Sequence, residues 1–298
     1  MFPESPKSLD SFWPRRGQPS LPYAPYRTPH RVTAWITPGE LARYEADCAA
    51  GRPNRYGPRD IEYRYNAQGF RCLEFADIPV DSFVVASVGC SNTEGIGLPV
   101  EHTWPSLLCG KLATPQGKVS NVNLGLGASS NQHIAIRACR AMESPDVDPD
   151  MVVLSWSYPH RLLYFYEDGE LMDWPFPIDA ELKPSLRSLD PKVRTKRTYF
   201  EQIQSRTFDL GNLMANIMLV EATARHCGVR LCHSFLLLDV KDQDWLKERV
   251  DGLYGWREGP RNARDLMHFG WEYNEWVAIL MADWCARAGL SRKGEVSA

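Results

Sequence analysis

The sequence lacks the long apolar run that a membrane-spanning helix requires, since no stretch approaches roughly 18 consecutive apolar residues. It also lacks an excess of either charge: 34 Lys and Arg stand against 37 Asp and Glu, a formal net charge of −3. This balance argues against a general nucleic-acid binder and against polybasic binding to a membrane. The first residues, MFPESPKSLDSFWP, show no basic segment followed by an apolar one, so no secretory signal is visible. Together these absences predict a cytoplasmic protein whose partners include neither nucleic acid nor a membrane.

Cysteine and histidine pairs with metal-binding spacing are absent as well. The eight cysteines are spread through apolar stretches, and neither His226-Cys227 nor Cys232-His233 belongs to a Cys-x-x-Cys or His-x3-His pattern. In a chain of this size without a signal, the cysteines are expected to be reduced and buried. No metal site is therefore expected.

Proline is present but unevenly distributed, with seven of the 22 prolines in the first 30 residues. Residues 1–60 are predicted to form a Pro-rich N-terminal arm and a helix, which begins where Thr37 can cap and Pro38 suits the first turn. The arm is expected to pack on the body or on a second subunit, so a homo-oligomer is compatible with the sequence. Residues 61–298 are predicted to form one domain with an inserted lobe at 158–206.

The inserted lobe carries a basic run between residues 183 and 197. A solvated lobe is the favoured interpretation, with recognition of an anionic substrate or glycan as the alternative.

From residue 81 onward, apolar strand-like runs alternate with segments of helical periodicity. Strands are predicted at 81–88, 119–124, 151–155 and 229–238, and helices at 103–112, 131–142, 209–227, 242–250 and 271–288. Short strands are also expected within 61–75. The alternation predicts an α/β fold of the flavodoxin-like kind, a three-layer α/β/α sandwich around a parallel sheet. The site of such a fold lies at the carboxyl ends of its strands, so the informative loops begin at residues 89, 125, 156, 239 and 265.

Two of these loops carry residue types suited to nucleophilic catalysis. The first, Gly89 to Gly97, reads GCSNTEGIG, and its small residues permit a tight strand-to-helix turn that exposes the hydroxyl of Ser91. The last holds Asp265 and His268 three residues apart. The carboxylate can then fix the imidazole tautomer and leave the other ring nitrogen to act as a general base.

In this order, the two loops resemble the blocks of the SGNH (GDSL-like) hydrolase superfamily. The family's first block is a Gly-Asp-Ser loop, and Gly89-Cys90-Ser91 matches it with Cys90 in place of the Asp. Its last block, Asp-x-x-His, matches Asp265 and His268. The upstream segment from Asn66 to Arg71, NAQGFR, resembles the segment often seen before the first block.

The resemblance also implies an oxyanion hole, in which the backbone N–H of Ser91 is one donor. In the second block, Ala128 falls on the family's Gly, with Gly127 beside it, so Gly127 and Ala128 are the candidate oxyanion-hole residues of this loop. The third block departs from the family, because Ser155 to Arg161, SWSYPHR, contains no Asn. Ser157 can donate through its hydroxyl, or Arg161 can supply charge. Losing one such donor typically lowers the rate by about 10²–10³.

The resemblance implies a serine ester hydrolase, a carboxylesterase or O-acetylesterase that acts on an acylated small molecule or glycan through an acyl-enzyme. It requires no metal or organic cofactor. Asn92, Trp156 and Arg161 are the candidate substrate-binding residues. Because the third block is altered, an SGNH-fold binding or assembly module with weak or no hydrolysis remains the alternative, as does an acyltransferase.

Overall fold

The structure is a computed structural model, and it describes residues 28–35, 38–52, 54–165, 171–174, 195, 198–255, 259–265 and 267–287. Residues 1–27 of the N-terminal arm and the basic residues of the insert (Lys183, Arg187, Lys192, Arg194, Lys196 and Arg197) lie outside the described residues. The expectations for both remain predictions, as does the domain boundary at residue 60.

The described elements are numbered in chain order. The strands are β1 (Val32–Thr33), β2 (Tyr63–Arg64), β3 (Phe83–Val88), β4 (Val119–Asn123), β5 (Met151–Ser155), β6 (Leu162–Phe165), β7 (Leu171–Trp174) and β8 (Arg230–Ser234). The α-helices are α1 (Pro38–Ala49), α2 (Ser91–Glu94), α3 (Trp104–Gln116), α4 (Asn131–Glu143), α5 (Arg206–Cys227), α6 (Val240–Lys247) and α7 (Trp271–Arg287).

A parallel sheet in the order β4-β3-β5-β8 forms the centre of the molecule. The chain passes from β3 to β4 on one side and then crosses back to β5 on the other side. The strand order therefore reverses at β3, and the crevice beyond the carboxyl end of such a strand is where ligands bind in open α/β sheets. Ser91 follows β3 directly.

The sheet is covered by helices on both faces because its strands are apolar on both. Alternate residues of a strand point to opposite faces. On β3, for example, Val84 and Ala86 join one core cluster with helices α4, α5 and α6, whereas Phe83 and Val85 join a second cluster with α3 and α7. The predicted three-layer sandwich is confirmed.

Two predicted strand regions are shorter than expected. Within 61–75 only β2 forms, as an antiparallel pair with β1, because Asn66 closes a turn by accepting hydrogen bonds from the backbone of Gln68 and Phe70 at 3.1 and 2.9 Å. Strand β8 ends at Ser234 rather than near residue 238. The Gln243 amide binds the carbonyl oxygens of Phe235 and Leu238 at 3.2 and 2.9 Å and holds that segment as a turn.

Two helices begin earlier than predicted, and local caps explain both. Helix α5 begins at Arg206, where the Ser205 hydroxyl accepts the backbone N–H of Phe208 at 3.1 Å. Helix α6 begins at Val240, where Asp239 accepts the backbone N–H of Asp242 at 2.9 Å. Both caps are of the kind that polar side chains provide at helix starts. None of the described helices combines the length and apolar character that crossing a bilayer requires.

Candidate active site

Ser91 lies on a tight turn between β3 and α2. Cys90 is extended, with φ −97° and ψ −153°, and Ser91 is the first helical residue. Gly89 is required here, because a Cβ at this position would clash with Thr93 Oγ1 and approach the carbonyl oxygen of Ser155 to 3.0 Å. In the described part of the chain, neither the hydroxyl nor the backbone N–H of Ser91 has a hydrogen-bond partner. Both groups are therefore available to a substrate.

A buried arginine holds the far end of this loop. Arg71 donates to the carbonyl oxygens of Gly95 and Leu98 at 2.7 and 2.8 Å and to that of Glu94 at 3.3 Å. The turn that Asn66 closes places Arg71 for these contacts. This gives a structural role to the upstream segment whose resemblance to the family was noted.

The loop after β4 packs directly against the Ser91 turn. A Cβ at Gly125 would clash with the backbone of Glu94, so the approach requires glycine. The buried Glu94 carboxylate accepts the backbone N–H of Gly127 at 2.6 Å and the hydroxyl of Tyr65 at 2.9 Å. Because its N–H is engaged, Gly127 is not an available oxyanion donor, contrary to the prediction.

Ala128 adopts a backbone conformation that usually requires glycine. Its φ is +66°, in the left-handed region, where a Cβ is disfavoured. No described residue accepts the backbone N–H of Ala128. Ala128 is thus the candidate donor of this loop.

The loop after β5 is held through side chains. The Asn131 amide pairs with the backbone of Ser157, accepting its N–H at 2.8 Å and donating to its carbonyl oxygen at 3.1 Å. Arg161 donates to the Ser157 hydroxyl at 2.8 Å and to the Ser129 carbonyl oxygen at 3.4 Å. Since the Ser157 oxygen accepts from Arg161, its own proton remains for donation, although the side chain is fully buried.

The predicted substrate-binding residues take different positions. Trp156 is fully buried, and its indole N–H donates to His233 Nδ1 at 3.1 Å, so it belongs to the core rather than to a substrate surface. Arg161 is also buried and connects two loops. Asn92 is half-buried, and no described residue hydrogen-bonds to its side chain.

Asp265 and His268 form a compact pair. The Asp265 Oδ2 atom lies 2.6 Å from His268 Nδ1, while Oδ1 accepts the backbone N–H groups of Met267 and His268, both at 3.1 Å. Burial alone would raise the pKa of Asp265, but its hydrogen bond with the His268 side chain, the His268 charge and the two backbone donors hold that pKa below its ordinary value. The carboxylate therefore stays ionised and directs Nε2 of His268 outward as the free ring nitrogen.

One backbone contact joins the Ser91 loop to the Asp265–His268 turn. The backbone N–H of Arg264 donates to the carbonyl oxygen of Gly97 at 2.9 Å, and a Cβ at Gly97 would lie 3.0 Å from the Arg264 nitrogen. This contact places the Asp265–His268 turn against the Ser91 loop. No hydrogen bond joins Ser91 to His268 in the described residues. In enzymes without substrate, such contacts are often long and tighten only in the complex.

A cavity of about 390 Å³ lies beside the Asp265–His268 turn. Its lining combines apolar side chains with two charged ones: Tyr158, Leu236, Leu237, Leu238, Asp239, Gly259, Arg261 and Phe269. Its lining thus includes Tyr158, from the loop after β5, and Phe269, which follows His268 in the chain. A larger cleft of about 520 Å³, around Arg71 and Glu101, is lined by neither Ser91 nor the Asp265–His268 pair. Ser91, Asp265 and His268 do not line the smaller cavity either, but Phe269, the neighbour of His268, and Tyr158, in the loop after β5, do, so the smaller cavity is the better candidate for a substrate.

The cysteines and the other potential ligands form no metal centre among the described residues, where no group of three or more His, Cys, Asp or Glu side chains is arranged to hold an ion. All eight cysteines are free thiols, and Cys48 is exposed rather than buried.

Several residues that organise the site were not predicted as parts of it. Asn131 holds Ser157, Glu94 holds Gly127, and Arg264 joins the loops. The sequence offered a signal only for Glu94, which lies in the Ser91 loop. The other two act across long sequence separations that a local pattern does not report.

The sheet order and the helices on both of its faces give the protein a three-layer α/β fold around a parallel sheet, with the three loops at its carboxyl edge, as the sequence predicted. No family model matches the sequence, and no curated protein matches it.

Solved structures do resemble the protein, at low identity. The psychrotrophic esterase EstA from Pseudoalteromonas sp. is 9% identical with a TM-score of 0.43, covering 70% of this chain and 98% of EstA. A G-D-S-L family protein from Desulfitobacterium hafniense DCB-2 is 15% identical with a TM-score of 0.37, covering 69% and 99%. A two-domain esterase (CEX) active on acetylated mannans is 14% identical with a TM-score of 0.33, and the match spans 73% of this chain but only 53% of that esterase.

Proposed function

We propose that the protein is a serine ester hydrolase in which Ser91, His268 and Asp265 form the catalytic triad. The observation that carries the proposal is the 2.6 Å contact between Asp265 and His268 on a loop that is hydrogen-bonded to the Ser91 loop. A solvated surface histidine would not need a buried carboxylate with three donors.

In the proposed cycle, Ser91 Oγ attacks the ester carbonyl carbon while His268 Nε2 accepts the serine proton. Asp265 holds the Nδ1–H and stabilises the imidazolium that forms. The imidazolium then gives its proton to the departing alcohol, which leaves an acyl group on Ser91. Water, deprotonated by His268, then attacks the acyl carbon. The bond from that carbon to Ser91 Oγ breaks, the imidazolium returns its proton to Ser91 Oγ, and the acid is released. The cycle requires neither a metal nor an organic cofactor.

The oxyanion of each tetrahedral intermediate is proposed to bind three donors. Among the described residues nothing accepts the backbone N–H groups of Ser91 and Ala128, and these groups come from the two loops that pack against each other at Gly125. The third donor is the hydroxyl of Ser157, which takes the place of the family's Asn. Arg161 polarises that hydroxyl through the 2.8 Å contact and adds positive charge.

The substrate is proposed to be a small acylated molecule or an acylated sugar unit. The cavity beside His268, at about 390 Å³, is at the small end of the usual range for ligand sites. Phe269 and the leucines suit an apolar group, whereas Asp239 and Arg261 can bind hydroxyl or carboxylate groups.

The test is turnover of p-nitrophenyl acetate by the full chain and by variants of the two catalytic loops. We expect wild-type turnover and its loss in Ser91→Ala and His268→Ala. Cys90→Ser is the matched control, because Cys90 is the neighbouring nucleophile and is buried at the same turn. Turnover that survives Ser91→Ala, or that disappears in Cys90→Ser alone, would refute the assignment.

A wild-type protein that folds but shows no turnover would favour the binding or assembly module instead. Acyl transfer is separated from hydrolysis by adding an alcohol acceptor. A hydrolase releases mainly the free acid, whereas a transferase forms mainly the new ester.

A further inference from the structure

Four residues join helix α1 to both catalytic loops in a closed ring of hydrogen bonds. The backbone N–H of Gly97 donates to the Tyr63 hydroxyl at 2.8 Å, which donates to Glu40 Oε1 at 3.1 Å. The same carboxylate oxygen accepts Arg264 Nη2 at 3.0 Å, and the backbone N–H of Arg264 donates to the Gly97 carbonyl oxygen at 2.9 Å. We call these residues the Glu40 ring.

The ring is removed from solvent. Tyr63 and Arg264 are fully buried, and Glu40 is 6% exposed. The Arg264 guanidinium stacks over the Trp35 ring at 3.9 Å and donates to the Pro58 carbonyl oxygen at 3.4 Å. Burial raises the pKa of Tyr63, so its hydroxyl stays protonated and serves as a donor to Glu40. A buried ion pair of this kind fixes geometry more than it adds stability.

The ring fastens the two loops at positions next to the proposed catalytic residues. Arg264 directly precedes Asp265, and Gly97 ends the loop that begins with Ser91. At Gly97 the loops touch so closely that a Cβ would lie 2.8 Å from the Cβ of Ala263. By contrast, the Asp265–His268 bond is closed within one turn and needs no help from α1.

We propose that Glu40 and Tyr63 are positioning residues that set the separation between the Ser91 loop and the Asp265–His268 turn. The segment before the sheet is then part of the catalytic apparatus. This inference rests on the proposed function. It adds to that function a requirement for residues with no counterpart in the blocks of the family.

The test compares Glu40→Gln and Tyr63→Phe with Asp47→Asn in the full chain. Asp47 is the matched control, because it is a buried carboxylate on the same helix that pairs with Arg52, and among the described residues no hydrogen bond or ion pair joins it to either loop. The measurement is the second-order rate of Ser91 labelling by a fluorophosphonate. We expect a decrease of about 100-fold in Glu40→Gln and about tenfold in Tyr63→Phe, since a displacement near 1 Å can have such effects. Asp47→Asn should label at the wild-type rate.

Two further readouts separate positioning from a purely structural role. KM for a p-nitrophenyl ester should stay near the wild-type value in both ring variants while kcat decreases, because none of the four ring residues lines the cavity beside the Asp265–His268 turn. Hydrogen–deuterium exchange of the backbone at residues 263–268 should accelerate in the ring variants and not in Asp47→Asn. If Glu40→Gln fails to fold, Tyr63→Phe still decides, because it removes one hydroxyl and keeps the aromatic ring.

Folded ring variants that label at the wild-type rate would overturn the inference, and so would a lowered thermal midpoint as their only change. A wild-type protein that is never labelled refutes the proposed function instead. In that case, hydrogen–deuterium exchange at residues 263–268 still tests the Glu40 ring. An unchanged exchange rate in the ring variants would show that the ring does not hold the two loops together, so the two failures are distinguishable.

Discussion

The loops after β4 and β5 flank the Ser91 turn from the two neighbours of β3, and they present polar groups in different ways. After β4, the main chain itself supplies the hydrogen-bond donor. Ala128 lies in the left-handed region, and no described residue accepts its backbone N–H. After β5, the main chain of Ser157 is fully engaged by Asn131, so only side chains remain to act. A backbone donor survives most substitutions, whereas a donor built from Ser157 and Arg161 depends on both side chains.

In the proposed site, this difference lets the side chains of Ser157 and Arg161 stand where the third block of the resembled family has an Asn. It also means that the two flanks should respond to mutation unequally.

Asp265→Asn sets the upper limit against which both flanks are compared. The amide cannot hold the imidazole in the required tautomer or stabilise its charged form, so ester turnover should decrease by about 10³–10⁴. The measurement is kcat/KM for a p-nitrophenyl ester together with circular dichroism to confirm folding. A decrease below about tenfold would show that Asp265 is not the partner of a general base.

Ser157→Ala should damage the β5 flank selectively. Removing one oxyanion donor lowers kcat by about 10²–10³ and leaves KM nearly unchanged, because the donor acts mainly in the transition state. Ser120→Ala is the matched control, since Ser120 is a buried serine near the start of β4 whose hydroxyl donates to that of Ser82 at 2.8 Å, away from the carboxyl ends of the strands. Equal kcat in the two variants would contradict the role of Ser157.

Protonation of His233, which accepts a hydrogen bond from Trp156 at the end of β5, should make the stability of the protein depend on pH. Burial lowers its pKa to about 4, even though the Glu221 carboxylate at 3.7 Å favours the charged form, so burial is the dominant effect. The unfolded chain, with a His pKa near 6.5, takes up the proton first as pH falls. Stability from the neutral His233 is thus present above about pH 6.5 and lost as pH falls toward 4, by about 3 kcal/mol.

His233→Gln should therefore flatten the dependence of the free energy of unfolding on pH between 6.5 and 4. Urea denaturation at several pH values measures it. His226→Gln, at an exposed histidine of helix α5, is the control and should retain the wild-type slope. An unchanged slope in His233→Gln would show that folding does not lower the pKa of His233.

Ala128→Gly should have the smallest effect and the opposite sign. Glycine adopts a φ of +66° without the steric penalty of a Cβ, so the free energy of unfolding should increase by about 1 kcal/mol. Turnover should stay within about twofold, because the backbone N–H is kept. A large loss of turnover would mean that the Cβ of Ala128, rather than its N–H, serves the site.

The sequence was informative where the structure depends on local pattern. Strand β5 spans Met151–Ser155 as its continuous apolar run predicted, because both of its faces are covered by helices. Ser91 directly follows β3, and Asp265 and His268 lie in the loop before α7, as the alternation of strands and helices predicted. The bond between Asp265 and His268 spans only one turn and was therefore predictable from spacing.

What the sequence could not reveal depends on contacts between distant residues. Trp156 stands at a strand end, where a substrate surface was expected, yet His233 on the neighbouring strand draws its indole into the core. From the sequence, Gly127 and Ala128 were equal candidates for an oxyanion donor, but the backbone N–H of Gly127 donates to the Glu94 carboxylate. The link from Glu40 to Arg264 joins residues far apart in the chain, and no local periodicity reports it.

The most direct test of the central claim is the position at which a fluorophosphonate attaches to the wild-type protein, determined by peptide mass spectrometry. Attack by an activated serine expels fluoride and leaves the phosphonyl group on that serine. The account predicts a single stoichiometric adduct on Ser91. An adduct on another residue, or a folded protein that remains unmodified, would contradict it.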